Sequence, residues 1–219
     1  MRLAVFDCDG TLVDGQADVC WAMARAFDRA GLGAPDNQAV RRIVGLSLPA
    51  AVRSLAPALT EDQNRAVTGF YRSSFRARRE EGLLDEPLYD GIADLLRALH
   101  GAGWQLAVAT GKSDRGLAAC LGTHGIADLF VSLQTADRHP SKPHPAMLEA
   151  ALFEAGAQRG EAVMIGDTSF DMVMARSIGV AAIGVGWGYH DPAELLASGA
   201  RSVADTAAAL AAALEEALP

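Results

Sequence analysis

The chain is poor in cysteine, in lysine, in aromatic residues and in long apolar runs. Its 219 residues hold three cysteines, Cys8, Cys20 and Cys120. The number is odd and no two form a CxxC pair, which argues against a disulfide framework or a zinc site and for reduced, mostly buried thiols. Lysine occurs only at positions 112 and 142, so arginine supplies most of the positive charge. That charge is outweighed: 19 Lys and Arg against 27 Asp and Glu leave a formal net charge of -8. An acidic surface repels a nucleic-acid backbone, so no nucleic-acid partner is expected. No stretch approaches the roughly 18 to 20 apolar residues of a membrane span. The apolar run Leu3–Phe6 is too short for the core of a signal peptide. The sequence reads as a soluble, cytoplasmic protein with no membrane partner.

What is present is an alternation. Short, continuous apolar runs occur at Leu3–Phe6, Leu106–Ala109, Leu129–Leu133, Ala162–Ile165 and Ala181–Val185. Runs of this kind suit parallel strands covered on both faces. Helical patterns over 91–101, 114–123, 144–156, 169–178 and 205–217 separate or follow them. Asp114 and Asp205 are expected N-caps, and Gly101 and Gly179 expected helix stops. Strand and helix in turn predict an α/β fold, a doubly wound, Rossmann-like parallel sheet. Residues 15–87 break the rhythm. Cys20, Met23, Ala24 and Phe27 fall at helical spacing, as do Val40, Ile43 and Val44, and then Val67, Phe70, Tyr71 and Phe75. The expected organisation is a core of residues 1–14 and 88–219 with a helical insert, 15–87, above the end of the first strand. Asp14 is expected to cap the insert's first helix.

Ligands of open α/β sheets bind outside the carboxyl ends of the strands. The first run is followed by Asp7-Cys-Asp-Gly-Thr-Leu-Val-Asp14, and the second by Thr110-Gly111-Lys112. Gly166-Asp167-Thr-Ser-Phe-Asp171 follows the fourth, and Ser141-Lys142-Pro143 precedes a helix. Clustered carboxylates repel one another and need a cation. Oxygen ligands with no histidine or cysteine pattern suit a hard ion such as Mg²⁺. Its charge would let a phosphate dianion approach a carboxylate in an otherwise acidic protein. Gly111-Lys112-Ser113 is no P-loop, because GxxxxGK[ST] requires glycine at position 106 and the residue is Leu106.

These residues carry a resemblance. Asp7-x-Asp-Gly-Thr-Leu-Val-Asp, Thr110, Lys142-Pro-x-Pro and Gly166-Asp-Thr-x-x-Asp resemble, in order and spacing, the motifs of the haloacid dehalogenase-like hydrolase superfamily. The insert resembles the helical cap of its subfamily I. Gly184-Val-Gly-Trp-Gly-Tyr189, with the Asp-Pro-x-Glu-Leu helix after it, is similar to the phosphoglycolate phosphatase branch. The resemblance implies Mg²⁺-dependent hydrolysis of small-molecule phosphate monoesters through an aspartyl-phosphate. Asp7 would be the nucleophile, and Asp9 the acid and then the base. Thr110 and Gly111 would bind the phosphoryl group, with Lys142 neutralising it and Asp7. Asp7, the main-chain carbonyl of Asp9, and Asp167 would hold the metal, and Asp171 would act through water or orient Lys142.

Asp9 separates this pattern from the dehalogenases. The absence of lysine from 15–85 separates it from the phosphonoacetaldehyde hydrolases, which need a cap lysine. A sugar-phosphate mutase, a pyrophosphatase and a catalytically silent phosphate-ester binding module stay open. The chain is expected to be a monomer or homodimer. Specificity is expected to come from the insert, with Arg41, Arg42 and the turn at Gly45 as candidates to meet a second anion on the substrate. Arg76, Arg78 and Arg79 read as a solvated helix end, and Trp187 and Tyr189 as packing residues. Gly15 stands where serine is more usual in the motif.

Overall fold

A computed structural model describes residues 1–218. Its frame is a sheet of six parallel strands among the described residues. They are β1 (Leu3–Phe6), β2 (Gln105–Thr110), β3 (Phe130–Thr135), β4 (Ala162–Gly166), β5 (Ala181–Val185) and β6 (Ser202–Ala204). Their spatial order is β3-β2-β1-β4-β5-β6. β1 therefore lies inside, bonded to β2 on one side and β4 on the other. The chain winds outward from it in both directions, which opens a crevice at its carboxyl end.

Alternate residues of the strands feed two apolar layers, as the period of a strand dictates. Ala4 and Phe6 join the layer beneath α5 (Ile92–Gly101), α6 (Asp114–Thr123) and α10 (Ala207–Ala217). Leu3 and Val5 join the layer beneath α7 (Ala146–Ala155), α8 (Ser169–Ser177) and α9 (Pro192–Ser198). Every side chain of β1 is fully buried. Emptying such a site, as in Phe6→Ala, costs about 3–5 kcal/mol. Cys8 and Cys120 lie in the first layer with their sulfurs 4.0 Å apart, both as free thiols.

Between β1 and α5 the chain builds α1 (Gln16–Arg29), α2 (Asn37–Arg41), α3 (Leu48–Leu55) and α4 (Glu61–Glu80). These helices share a separate apolar cluster that includes Met23, Phe27, Val40, Val52 and Val67. α4 starts at a reciprocal cap: Thr60 Oγ1 accepts from the Gln63 amide at 3.3 Å, and Gln63 Oε1 accepts from the Thr60 amide at 2.9 Å. Asp18, buried at the base of α1, is paired with Arg78 and accepts the Asp85 amide at 2.7 Å. The outgoing and returning segments run side by side, with Asp14 N–H donating to Pro87 O at 2.8 Å. No helix among the described residues is long and apolar enough to cross a membrane.

Several expected caps sit one residue away. Ser113 caps α6 through its Oγ and Thr206 caps α10, so Asp114 and Asp205 are not the N-caps. Both hydroxyls lie on extended residues, where their oxygens reach the first-turn amides. Gly15 occupies the N-cap position of α1, while Asp14 Oδ1 still accepts from the Gln16 amide at 3.2 Å. Gly179, with φ +73°, ends α8 as expected; Gly101 lies inside α5, and Gly103 makes the left-handed turn instead. β6 is an unexpected strand: three residues at the sheet edge, two half-buried and one buried, leave no apolar run to read.

Candidate active site

The four motifs meet at the crevice. Asp7 follows β1, Thr110 ends β2, Asp167 follows β4, Asp171 lies in the first turn of α8, and Lys142 comes from the loop before α7. Asp7, Thr110, Lys142, Asp167 and Asp171 are all buried, at 1% exposure or less. Burial on that scale leaves each charge dependent on its neighbours.

Lys142 Nζ lies 3.0 Å from Asp7 Oδ1 and 2.6 Å from Asp171 Oδ1. Asp7 Oδ1 also accepts the Cys8 amide at 2.6 Å. Asp7 Oδ2 is buried and has no partner among the described residues. Asp171 is held on its other side, its Oδ2 accepting from the Thr168 hydroxyl at 2.7 Å and the Thr168 amide at 3.2 Å. Asp167 accepts the Thr11 hydroxyl at 2.8 Å and the Tyr189 amide at 3.0 Å. Thr11 thus braces Asp167 rather than facing the crevice. Gly10, at φ +81°, is confined to glycine twice over, since a Cβ there would strike Asp167 and the Tyr189 ring. Trp187 packs near Tyr89, with ring centroids 6.0 Å apart, and its indole N–H donates to Thr11 O at 3.2 Å.

Carboxylate oxygens of Asp7, Asp167 and Asp171 lie within 4.8 Å of one another. Burial pushes the Asp7 carboxyl up to about 7, although Lys142 pulls it back. Asp167 is likewise raised, by burial first and then by the charges of Asp7 and Asp171. Burial alone would lower Lys142, but Asp171 and Asp7 outweigh it and raise its affinity for a proton. One lysine therefore does not balance the cluster. The surplus of negative charge, the oxygen-only donors and the partnerless Asp7 Oδ2 all fit a hard divalent cation such as Mg²⁺. Asp167 and Asp171 both have their two oxygens engaged, but Asp167 only by a hydroxyl and an amide; Asp171, tied to the Lys142 ammonium and twice to Thr168, is the least free of the three to ligate.

A cavity of about 410 Å³ opens from this cluster toward the helices α1–α4. Asp7, Asp9, Thr110 and Gly111 line its floor, and Gly45, Leu46 and Ser47 reach over it. The Ser47 amide donates to Ser141 Oγ at 2.8 Å, fixing that loop above the Lys142 segment. Of the expected specificity residues, Gly45 lines the cavity and Arg41 and Arg42 do not. Arg41 bonds Gln16, and Arg42 reaches out to both oxygens of Glu194 at 3.0 Å. The reason lies in helical spacing: burying Val40, Ile43 and Val44 turns residues 41 and 42 to the opposite side. The arginines that do line the cavity are Arg72, Arg76 and Arg79 of α4, with Arg115 of α6. Of the helix end expected to be solvated, Arg76 is exposed, while Arg78 pairs with Asp18 and Arg79 lies 4.0 Å from Glu86. Their spacing, i, i+4 and i+7 beside Tyr71 and Phe75, was the available signal for one helix face. His139 and His144, on either side of Lys142, make short-range bonds to Gln134 and to the Ala146 amide.

Residues 4–185 match the family described as haloacid dehalogenase-like hydrolase. The chain is 36% identical over 208 residues to a probable phosphatase IndB of Dickeya dadantii, covering 93% of this chain and 89% of that one. It is 32% identical over 217 residues to a phosphoglycolate phosphatase of Vibrio vulnificus, covering 96% and 94%. A hydrolase from Pseudomonas syringae superposes over the full length of both chains with a TM-score of 0.89 at 24% identity, a likeness of fold.

Proposed function

Because the chain belongs to the haloacid dehalogenase-like hydrolase family, we propose that it is a phosphatase that hydrolyses small-molecule phosphate monoesters through a phosphorylated Asp7. The observation that carries this reading is the buried Asp7 carboxylate, with one oxygen gripped by Lys142 and the Cys8 amide and the other free. The named activities of the relatives point the same way.

Asp7 and Asp167, with the main-chain carbonyl of Asp9, would hold Mg²⁺. Bound there, the ion supplies positive charge that lets a phosphate dianion approach a carboxylate. The chain's own residues do the rest. Thr110 and the Gly111 amide orient the phosphoryl oxygens at the cavity floor. Asp7 attacks phosphorus and the ester oxygen leaves, taking a proton from Asp9. A water then attacks the phosphorus of the aspartyl-phosphate and gives its proton to Asp9, which releases phosphate and restores both carboxyls. Lys142 balances Asp7 throughout, and Asp171 and Thr168 hold Lys142 in place.

Residues 15–87 act as a cap over this floor. The arginines of α4 give an acidic protein a basic wall facing the reacting carboxylate. A phosphate monoester with a second anionic group suits that wall, and phosphoglycolate is one such ester. The three free thiols suit a reducing compartment, so we assign the protein to the cytoplasm, as a monomer or homodimer. The test is a screen of small phosphate esters with Mg²⁺, comparing the wild type with Asp7→Asn. Turnover that needs Mg²⁺ and vanishes in Asp7→Asn supports the reading. Tight binding without turnover would identify a silent binding module, and accumulation of transferred sugar phosphate a mutase.

A further inference from the structure

The two lysines of the chain make the same kind of bridge at one site. Lys142 spans Asp7 and Asp171. Lys112 spans Asp9 and Glu86, with Nζ 2.8 Å from Asp9 Oδ1 and 2.6 Å from Glu86 Oε1. The side chains of Lys112 and Glu86 are only 8% and 7% exposed. The mechanism above gives the Lys112 side chain no task. We propose that Lys112 and Glu86 are positioning residues for Asp9: they fix which of its oxygens faces the leaving group, and they tie that orientation to the segment returning from the cap. The proposal rests on the phosphatase reading.

An ammonium group donates hydrogen bonds and accepts none. The ion pair with Asp9 Oδ1 lacks hydrogen-bond geometry, so that buried oxygen is held by charge. Asp9 lines the cavity, so Oδ2 is left to meet the ester oxygen. Held by Asp9 alone, the lysine's long stem would keep much of its rotational freedom; the second carboxylate removes it. Burial works against the charge on Lys112, but Asp9 and Glu86 outweigh it and keep the ammonium protonated.

Glu86 is fixed in its turn. Its carbonyl oxygen lies 2.8 Å from His124 Nε2, and the next residue's carbonyl accepts the Asp14 amide at 2.8 Å. Arg79 of α4 stands 4.0 Å from its other oxygen, which extends the chain of charges into the cap. Gly15 completes the arrangement. A Cβ at that position would lie 3.3 Å from both Asp9 Oδ1 and Glu86 Oε1. Glycine at the hinge leaves room for the three charged groups to converge. A compact ammonium fits between two carboxylates where a planar guanidinium would need more space.

The double variant Lys112→Met/Glu86→Gln removes both charges together and leaves neither buried alone. It is assayed with Mg²⁺ on p-nitrophenyl phosphate, whose leaving group departs without a proton, and on an alkyl phosphate, whose alkoxide needs one. The readout is kcat/KM, which reports steps up to departure of the leaving group. The expected result is a loss of roughly tenfold or more on the alkyl ester against less than about threefold on the aryl ester, toward the ~10²–10⁴ that a positioned acid contributes. Asp9→Asn should give the same pattern, and adding the double change to it should cost nothing further. Should the double variant fail to fold, Glu86→Gln alone carries the test, with the same pattern at smaller size. Equal losses on both esters, or none, overturn the proposal. Absence of turnover in the wild type would instead remove the phosphatase reading.

Discussion

Without a bound divalent metal the protein should lose stability as pH rises through neutrality, and added Mg²⁺ should restore it. Asp7 has an ordinary value of 3.8 and is raised to about 7 by burial. A carboxyl whose folded value is raised contributes stability that is fully present below about pH 4 and is lost as pH climbs through about 7. A gap of about three pH units corresponds to on the order of 4 kcal/mol. Asp167, raised in the same cluster, acts in the same direction. Acids whose values are lowered, such as Glu194 and Glu154, work oppositely. Their contribution is complete by about pH 5; within the window from about pH 5 to 7.5 the cluster is opposed by His139, whose value burial lowers from its ordinary 6.5. At ~2–4 °C per kcal/mol for a chain of this size, the metal-free Tm should fall by on the order of 10 °C across that window. Mg²⁺ at about a hundred times its Kd returns ~2.7 kcal/mol. The assay is a thermal melt at each pH, with EDTA and with Mg²⁺. Asp7→Asn is the control, and it should be more stable than wild type when both are metal-free at pH 7.5. A metal-free Tm that is flat or rising from pH 5 to 7.5 would refute the reasoning, as would an equal Mg²⁺ effect at every pH.

Further outcomes follow from the same geometry. Lys142→Met should abolish turnover and, by leaving Asp7 and Asp171 buried without their shared cation, destabilise the metal-free protein by about 3–5 kcal/mol in urea unfolding at pH 7.5. Arg76→Ala and Arg72→Ala should raise KM for an ester with a second anion by about tenfold and leave a neutral ester within about twofold; Arg41→Ala and Arg42→Ala should do neither. Arg78→Ala leaves the buried Asp18 with only the Asp85 amide, so it should cost ~2 kcal/mol in the same unfolding assay.

The core was legible because its signals are local. A parallel strand buried on both faces is a continuous apolar run, and β1 was found to the residue as Leu3–Phe6. The rule that ligands sit at strand ends then brings Asp7, Thr110 and Asp167 to one crevice without further knowledge. The errors have local causes too. Ser113 and Thr206 cap because their hydroxyls stand on extended residues, a matter of backbone angles that an adjacent aspartate conceals. β6 escaped because an edge strand of three residues, only one of them buried, needs no apolar run.

The helical insert was legible as helices and not as a wall. Its periodicity shows which side of each helix meets the other helices, and says nothing of which remaining side meets the core. Arg41 and Arg42 looked well placed because they precede the Gly45 turn, which does reach the cavity. One helical turn separates the backbone that arrives from the side chains that point away. Arg79 and Glu86 illustrate the converse. Each reads as a surface charge in its own segment, and their meeting depends on α4 and the return segment converging over Lys112. A buried lysine is the clue the sequence did hold. In a chain that uses arginine nearly everywhere, a lysine marks a place where a compact charge is needed between fixed carboxylates, and both of this chain's lysines stand in such a place. Lys142 was singled out because it matched a motif. The same physical reasoning applies to Lys112, since Lys142 is the only other lysine in the chain.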